Sequence, residues 1–554
     1  MSERNRSRWL LLALGLLFAG DGLPQPPAGA SGGTTPAPDP SYLEQRGATI
    51  GTVNIRIDNV FDPSNPAEDK ALYRWANRIH FTTRPSVIEE IALFQPGDVF
   101  QSRLLEETAR LLRARGFVAE AAVTAQSYDA TKNTTDVDVW VRDAWSLEPD
   151  IKFSRSGGEN EWGFGLSEDN LFGTGKHAAI NYRKDVDRDE VRLNYSDRNV
   201  NGKRLRLDFG LYDLSDGKRN QISIGRPFFA LDTRWSVGSD LLDDERVESV
   251  YGLGEVVDEF RHDTQAFSIQ GGISPGIVGG TTKRWLFGID YESDVFMPAL
   301  DFGTPVLQPE DRELLYPWIG WQWIHEDFRK VSELNSIGRT EDVALGLNFL
   351  ASVGRASASL GSDRDATLFR ASATKGWEPG GPGRLLLFDS SLEMRDEDDG
   401  LHNAILASRA RYYHRNFDQQ LFSATLTTVF SKNIDAENQV LIGGDSGLRG
   451  FPLRYQSGQK SAVLTVEQRF FTDWYPWRLV RVGYAFFMDA GRVWGQDARG
   501  TQILGTLYDV GVGLRLTSPR SSTGAVVHID LAFPLNGDPS IDSVQLIIEK
   551  KSSL

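Results

Sequence analysis

The 554-residue chain contains no cysteine. That excludes a disulfide framework, a cysteine-ligated zinc site and a lipid-modified N-terminal cysteine. It suits a protein that crosses an oxidising compartment without forming wrong bridges. After the N-terminus there is no run of about 18 apolar residues, the length at which a segment reads as a membrane-spanning helix. Basic residues are not in excess: 60 Lys and Arg stand against 76 Asp and Glu, a formal net charge of −16. A nucleic-acid partner is therefore not expected. What the chain does have is 11% aromatic residues and 54 glycines at 40% hydrophobic content. That combination suits a membrane β-barrel, whose strands are apolar on one side only.

The N-terminus reads as an export signal. Arg4, Arg6 and Arg8 precede an apolar run from Trp9 to Ala19, and Ala28-Gly29-Ala30 offers a small-residue cleavage site. We assign 1–30 to a signal peptide and the Gly-, Pro-, Thr- and Ser-rich stretch 31–47 to a flexible tether. Residues 48–145 form a compact unit in the order β-α-α-β-β. "TVNIRID" (52–58) alternates as a strand, and Ser86 with Glu89 has the spacing of a capping box. Leu104, Leu105, Ala109, Leu111 and Leu112 give an amphipathic helix that Gly116 stops. "EAAVTAQS" (120–127) and "TDVDVWVRD" (135–143) are two more strands, and 61–82 reads as a long insertion before the first helix.

From residue 148 to the C-terminus, alternating segments recur between Gly, Asn, Asp and Pro. In "RLRLDFGLY" (204–212), Leu205, Leu207, Phe209 and Leu211 face one way, and Arg204, Arg206, Asp208 and Gly210 the other. A soluble β-sandwich would also alternate. A run of this length behind an export signal fits a closed outer-membrane barrel better, since lipid cannot satisfy open backbone groups. About fifteen candidate strands precede residues 441–460 and five follow them.

The tempting catalytic motifs fail on spacing. "GGDSGLRGF" (443–451) resembles a protease serine loop, but Leu448 stands where a second glycine is needed. No histidine sits in a matching context, and a nucleophile without a base is inert. "NLFGTGKHA" (170–178) has Asn170 and His177 at defining positions of a phosphate loop. "DVDRDE" (185–190) lacks the glycine and the final acid of a calcium loop. This run and "RDEDDG" (395–400) read as solvated hairpin tips. No catalytic residue, cofactor or metal site is expected, and the chain does not read as an enzyme.

The same nine residues resemble the "GG…RGF" loop motif of the BamA/TamA outer-membrane assembly superfamily. "EDNLFGTGK" (168–176), "VEQRF" (466–470), "FFMDAGRVW" (486–494), "LRLTSP" (514–519) and "LAFPL" (531–535) resemble further family segments in order. The compact unit is similar to a POTRA domain, the periplasmic module of that family. The resemblance implies a 16-stranded antiparallel transmembrane β-barrel at 148–554, mainly β overall, in the bacterial outer membrane. It implies a lid loop at about 441–460 whose motif is Leu448, Arg449, Gly450 and Phe451, with Gly450 allowing a tight turn. It also implies that Arg449 pairs in the lumen with Glu467 and Asp489. Strand parity puts both acids on that side: Leu464, Val466 and Phe470 oppose Glu467, and Val482, Tyr484, Phe486 and Met488 oppose Asp489.

The chain also departs from the family. Only one POTRA-like unit can be placed, where BamA-like members carry five and TamA-like members three. About fifteen strands precede the loop instead of eleven, and no aromatic residue ends the chain. The expected function is an insertase or translocase. It would assist β-rich clients by β-augmentation at a lateral seam between a first strand at about 162–169 and a last strand at 543–550. Gly163 and Gly165 would weaken pairing at that seam. Expected partners are unfolded outer-membrane or secreted β-rich proteins, outer-membrane lipids and periplasmic chaperones. The alternative is a two-partner secretion transporter with one dedicated passenger.

Overall fold

The structure is a computed structural model that describes residues 35–299, 307–332, 334, 340–497, 500, 502–519 and 525–551. The expected signal peptide lies outside them.

The N-terminal unit packs helices on one face of a four-stranded sheet. Thr134–Asp143 lies at its centre, parallel to Thr49–Asp58 and antiparallel to Val118–Asp129. Its core joins Ile88, Phe100, Leu105 and Leu112 from the helical side to Val137, Val139 and Val141 from the central strand. Period-two and period-3.6 patterns meet there, as the sequence requires. Two local expectations are corrected. Part of the expected tether is structured: helix α1 (Pro40–Gln45) starts at Asp39, whose carboxylate accepts from the Ser41 N–H at 2.9 Å. Its Leu43 is fully buried in the core. The capping box does not form either. Helix α3 (Pro85–Ile91) begins two residues earlier than that box implies, with Pro85 in its first turn and an extended Arg84 before it. A proline's fixed φ suits the first helical position and sets the start. Helix α2 (Ala71–Ile79) occupies the insertion, and α4 (Ser102–Arg113) is the long amphipathic helix.

From Leu147 to Lys551 an antiparallel sheet closes on itself. Among the described residues it has twenty strands, fifteen before the loop 433–459 and five after, leaving out a two-residue extension at Ile277–Val278. The expectation of 16 is corrected: fifteen segments before the loop are barrel strands, and the only described pair diverted into a separate hairpin there is Phe328–Ser332 with Thr340–Ala344. Their outward residues, such as Phe164, Ile180, Leu211, Ile269 and Ile289, stand exposed around the wall. An apolar outer band of this kind calls for a lipid surround. No described helix is long and apolar enough to cross a membrane.

The N-terminal unit sits against one end of the barrel. From α4, Arg113 pairs with Asp342 at 2.6 and 2.8 Å, Arg110 with Glu326 at 2.8 Å, and Glu107 accepts from the Leu231 N–H at 2.8 Å. Asp342 belongs to a separate hairpin, Phe328–Ser332 with Thr340–Ala344. The apolar side chains Leu334, Val343 and Leu345 of this segment pack on Leu385, Leu387, Tyr413 and Leu421 of the barrel.

Candidate functional site: an arginine loop across the barrel seam

The first barrel strand (Leu147–Ser156) leaves the N-terminal unit directly, so odd-numbered strands run away from that unit. The fifteenth strand (Gln420–Lys432) is odd, which puts the loop 433–459 at the far end. Val440–Ile442 pairs with Gln456–Gly458, making the loop a hairpin. Its tip turns inward. Ile442, Leu448, Phe451 and Tyr455 are buried against Val463, Val493 and Leu507 of the sixteenth (Lys460–Phe471), seventeenth (Arg481–Trp494) and eighteenth (Thr506–Thr517) strands. Glycines shape the receiving wall. A Cβ at Gly491 would stand 2.6 Å from a Leu448 methyl, and one at Gly511 only 2.2 Å from the Phe487 ring.

Arg449 lies in this buried layer. Its Nε and Nη2 donate to the two oxygens of Asp489 at 2.8 and 3.0 Å, and Nη1 donates to Asp530 at 2.9 Å. The guanidinium also stacks 3.3 Å above the Phe487 ring centre. A planar fork of donors is suited to two carboxylates at once. Glu467 is 3.8 Å from Arg449, at ion-pair range but without a hydrogen bond. Its oxygen instead accepts from Arg515 at 2.8 Å and Arg469 at 3.2 Å. Arg515 bridges the layer, since it also bonds Asp530. Asp509 is buried in the same layer as the cross-strand neighbour of Asp489.

Asp530 and Arg515 were missed by sequence reasoning, although parity carries the signal. In Val526–Pro534, Ile529, Leu531 and Phe533 face outward, leaving Asp530 to the lumen. Gly450 has a role other than the expected turn. The left-handed position is Gly447 at φ +102°, and at Gly450 a Cβ would stand 2.7 Å from the Asp509 Cβ. Ser446 is held by its own turn: its hydroxyl donates to the Gly443 carbonyl at 3.1 Å and accepts from the Gly443 N–H at 2.7 Å.

The loop also reaches the first strands of the barrel. Arg454 pairs bidentately with Asp187, both bonds 2.7 Å, in the turn between the third and fourth strands. Gln439 exchanges bonds of 2.9 and 3.0 Å with the Tyr251 backbone. A Cβ at Gly157, in the first hairpin, would stand 2.2 Å from the Leu453 nitrogen. The loop therefore touches strands from both ends of the barrel sequence. Asp187 lies in one of the acidic runs read as a solvated tip.

Between those ends runs the seam. The twentieth strand (Gln545–Lys551) pairs with the nineteenth (Val526–Pro534) over seven residues, but with the first through one registered pair, Ile548 and Arg155. The expected position of the seam glycines is corrected. Gly163 and Gly165 lie on the second strand (Glu159–Glu168), paired on both sides. They allow close approach of the third strand: a Cβ at Gly165 would stand 1.9 Å from Asn181 Oδ1. The edge signal was Pro149 in the first strand, because proline within a sheet is confined to edges.

Away from this layer, Glu397, Asp399 and His402 bring one ligand atom each within 4.8 Å of one another at a hairpin tip. His402 bonds Asp399 at 2.8 Å.

Comparison with curated proteins finds no match. Among solved structures, BamA from Haemophilus ducreyi lacking POTRA domains 1–3 is similar at 12% identity and TM-score 0.38, over 90% of this chain and 83% of that one. CdiB from Acinetobacter baumannii is similar at 12% identity and TM-score 0.44, over 92% and 74%. CdiB from Escherichia coli is similar at 14% identity and TM-score 0.46, over 91% and 76%. Likenesses of that degree carry no argument. The family model carries one. Residues 401–547, which hold the loop, Arg449 and its partner acids, match the Omp85 superfamily domain.

Proposed function

We propose that this outer-membrane barrel is an insertase or translocase of the BamA/TamA type that assists β-rich clients by strand addition at its seam. The observation that carries the proposal is a seam joined by one registered pair and spanned from inside by a loop bonded to both sides. Arg449 ties the loop to the seventeenth and nineteenth strands, and Arg454 ties it to the turn after the third. Parting the seam exposes backbone donors and acceptors on the first and twentieth strands. Such edges template an incoming strand. Folding of the client supplies the driving force, since each new backbone pair replaces a solvated one.

The N-terminal unit, placed in the periplasm as a POTRA-like domain, presents Thr49–Asp58 as an edge strand of its sheet. Unfolded clients can add to that edge, and chaperones can deliver them there. Depletion followed by outer-membrane proteomics tests the proposal: loss of several barrel proteins supports it, and an unchanged outer membrane contradicts it. A dedicated two-partner transporter is the second reading. It is favoured by the lumen cavity of about 1050 Å³, lined by charged residues such as Arg206, Asp240, Asp290 and Arg370. Loss of a single secreted product would select it.

A further inference from the structure

Helix α2 reads "ALYRWANRI", and its contacts fix which face is turned inward. Tyr73 and Ala76 pack on Val60 and Phe61. Asn77 donates to the Phe61 carbonyl at 2.8 Å and accepts from its N–H at 3.1 Å. The adjoining face holds Leu72, Trp75 and Ile79, at i, i+3 and i+7, followed by Phe81. All four are exposed, Trp75 at 57%. Beyond that stripe stand Arg74 and Arg78, exposed, with Lys70 just before the helix. Arg74 also pairs with Asp69 at 2.5 Å. In a chain of net charge −16, an apolar stripe flanked by three cations is a local reversal of character.

The helix is fixed to the barrel rim. The Tyr73 hydroxyl donates to the Trp477 carbonyl, in the turn between the sixteenth and seventeenth strands. His80 bonds Asp143 at 3.0 Å, and Thr83 donates to the same carboxylate at 2.9 Å. Asn170 donates to the Thr83 hydroxyl at 2.9 Å, and the Arg84 N–H to the Gly173 carbonyl at 3.0 Å. Asn170 and Gly173 belong to the turn between the second and third strands. These two turns flank the seam on the side of the N-terminal unit. They carry exposed aromatics of their own: Phe172, edge-on to Phe81 at 5.5 Å, Trp474, and Trp477 at 76% exposure.

We infer that α2 lies in the plane of the membrane interface, with Leu72, Trp75, Ile79 and Phe81 in the lipid leaflet at the foot of the seam. This inference rests on the reading of the barrel as membrane-spanning. Two observations select lipid as the occupant. The stripe continues into the rim aromatics and so into the apolar outer wall. Its flanking cations match headgroup phosphates, and aromatic side chains favour the interface between water and hydrocarbon. The helix thereby anchors the N-terminal unit to the leaflet beside the two strands that must part.

The absence of native cysteine makes the test direct. Leu72→Cys, Trp75→Cys, Ile269→Cys and Glu89→Cys are each spin-labelled in the full-length protein. The protein is then placed in bilayers of phosphatidylethanolamine and phosphatidylglycerol, and heat-modifiable mobility checks that each barrel is folded. Collision with oxygen and with a water-soluble nickel chelate reports the surroundings of each label. Labels at 72 and 75 are expected to favour oxygen, as at 269 on the barrel wall, while 89 on α3 favours nickel. If 72 and 75 match 89 while 269 remains in lipid, the stripe is left to a protein partner and the inference is overturned. If 269 itself favours nickel, the membrane-spanning reading falls, and this inference with it.

Discussion

Arg449→Ala is expected to loosen the loop without expelling it. The side chain makes three hydrogen bonds in a layer where it is 4% exposed, two to Asp489 and one to Asp530. Its loss leaves Asp489 buried without its counter-charge, while Asp530 keeps Arg515, and breaking a buried pair this way costs about 3–5 kcal/mol. Against that, Leu448 and Phe451 stay fully buried, each contributing roughly 1.5–3 kcal/mol. The two effects are of similar size, so the loop becomes partly open. Urea unfolding in micelles reads the stability loss, and limited proteolysis of the folded barrel reads loop exposure. Arg449→Lys keeps the charge but not the fork and falls between wild type and alanine. Adding Asp489→Asn to Arg449→Ala recovers part of the loss. If Arg449→Ala lies within about 0.5 kcal/mol of wild type, the range of ordinary surface substitutions, and the loop stays protected, the acids are solvated and the reasoning fails.

Arg454→Ala removes a bidentate pair that is about a quarter exposed; the loss should be about 1 kcal/mol, but proteolysis at the far end of the seam should quicken. Ser446→Ala should keep full function in a client-assembly assay, with a stability change of roughly 0.5–1.5 kcal/mol; loss of activity with an intact barrel would reinstate the serine as a functional group. Gly511→Ala should push Phe487 off the arginine layer, since the new Cβ would meet both that ring and the Leu531 carbonyl at 2.3 Å. A destabilisation of about 1–3 kcal/mol, read by the same urea curves, is expected.

Strand number and facing were legible in the sequence because lipid on one side and a polar lumen on the other enforce a period of two. The count of about fifteen and five candidates was a better guide than the family's sixteen. Parity placed Glu467 and Asp489 in the lumen, but it could not rank lumen acids by distance. Geometry gave Asp489 and Asp530 to Arg449, and Glu467 to Arg515 and Arg469. Arg454 and Asp187 were out of reach because their pairing joins residues far apart in sequence, and an acidic turn looks the same whether solvated or clasped. The seam was misplaced by one strand because Leu147–Ser156 follows the N-terminal unit with scarcely a break, and its proline was not read as an edge signal. Helix α2 was hidden in the insertion because its apolar stripe adjoins its packed face rather than coinciding with it.

Strand addition at the seam requires the first and twentieth strands to part. Arg155→Cys with Ile548→Cys places two thiols at the one registered pair between the first and twentieth strands, in a chain with no other cysteine. Directly opposite strand residues lie close enough for a disulfide or a short thiol cross-linker. The locked protein should form a folded barrel, yet fail to support client assembly in depleted cells, and reductant should restore it. A locked seam that sustains the outer-membrane proteome as well as the unlocked protein does would rule out client assembly by seam opening.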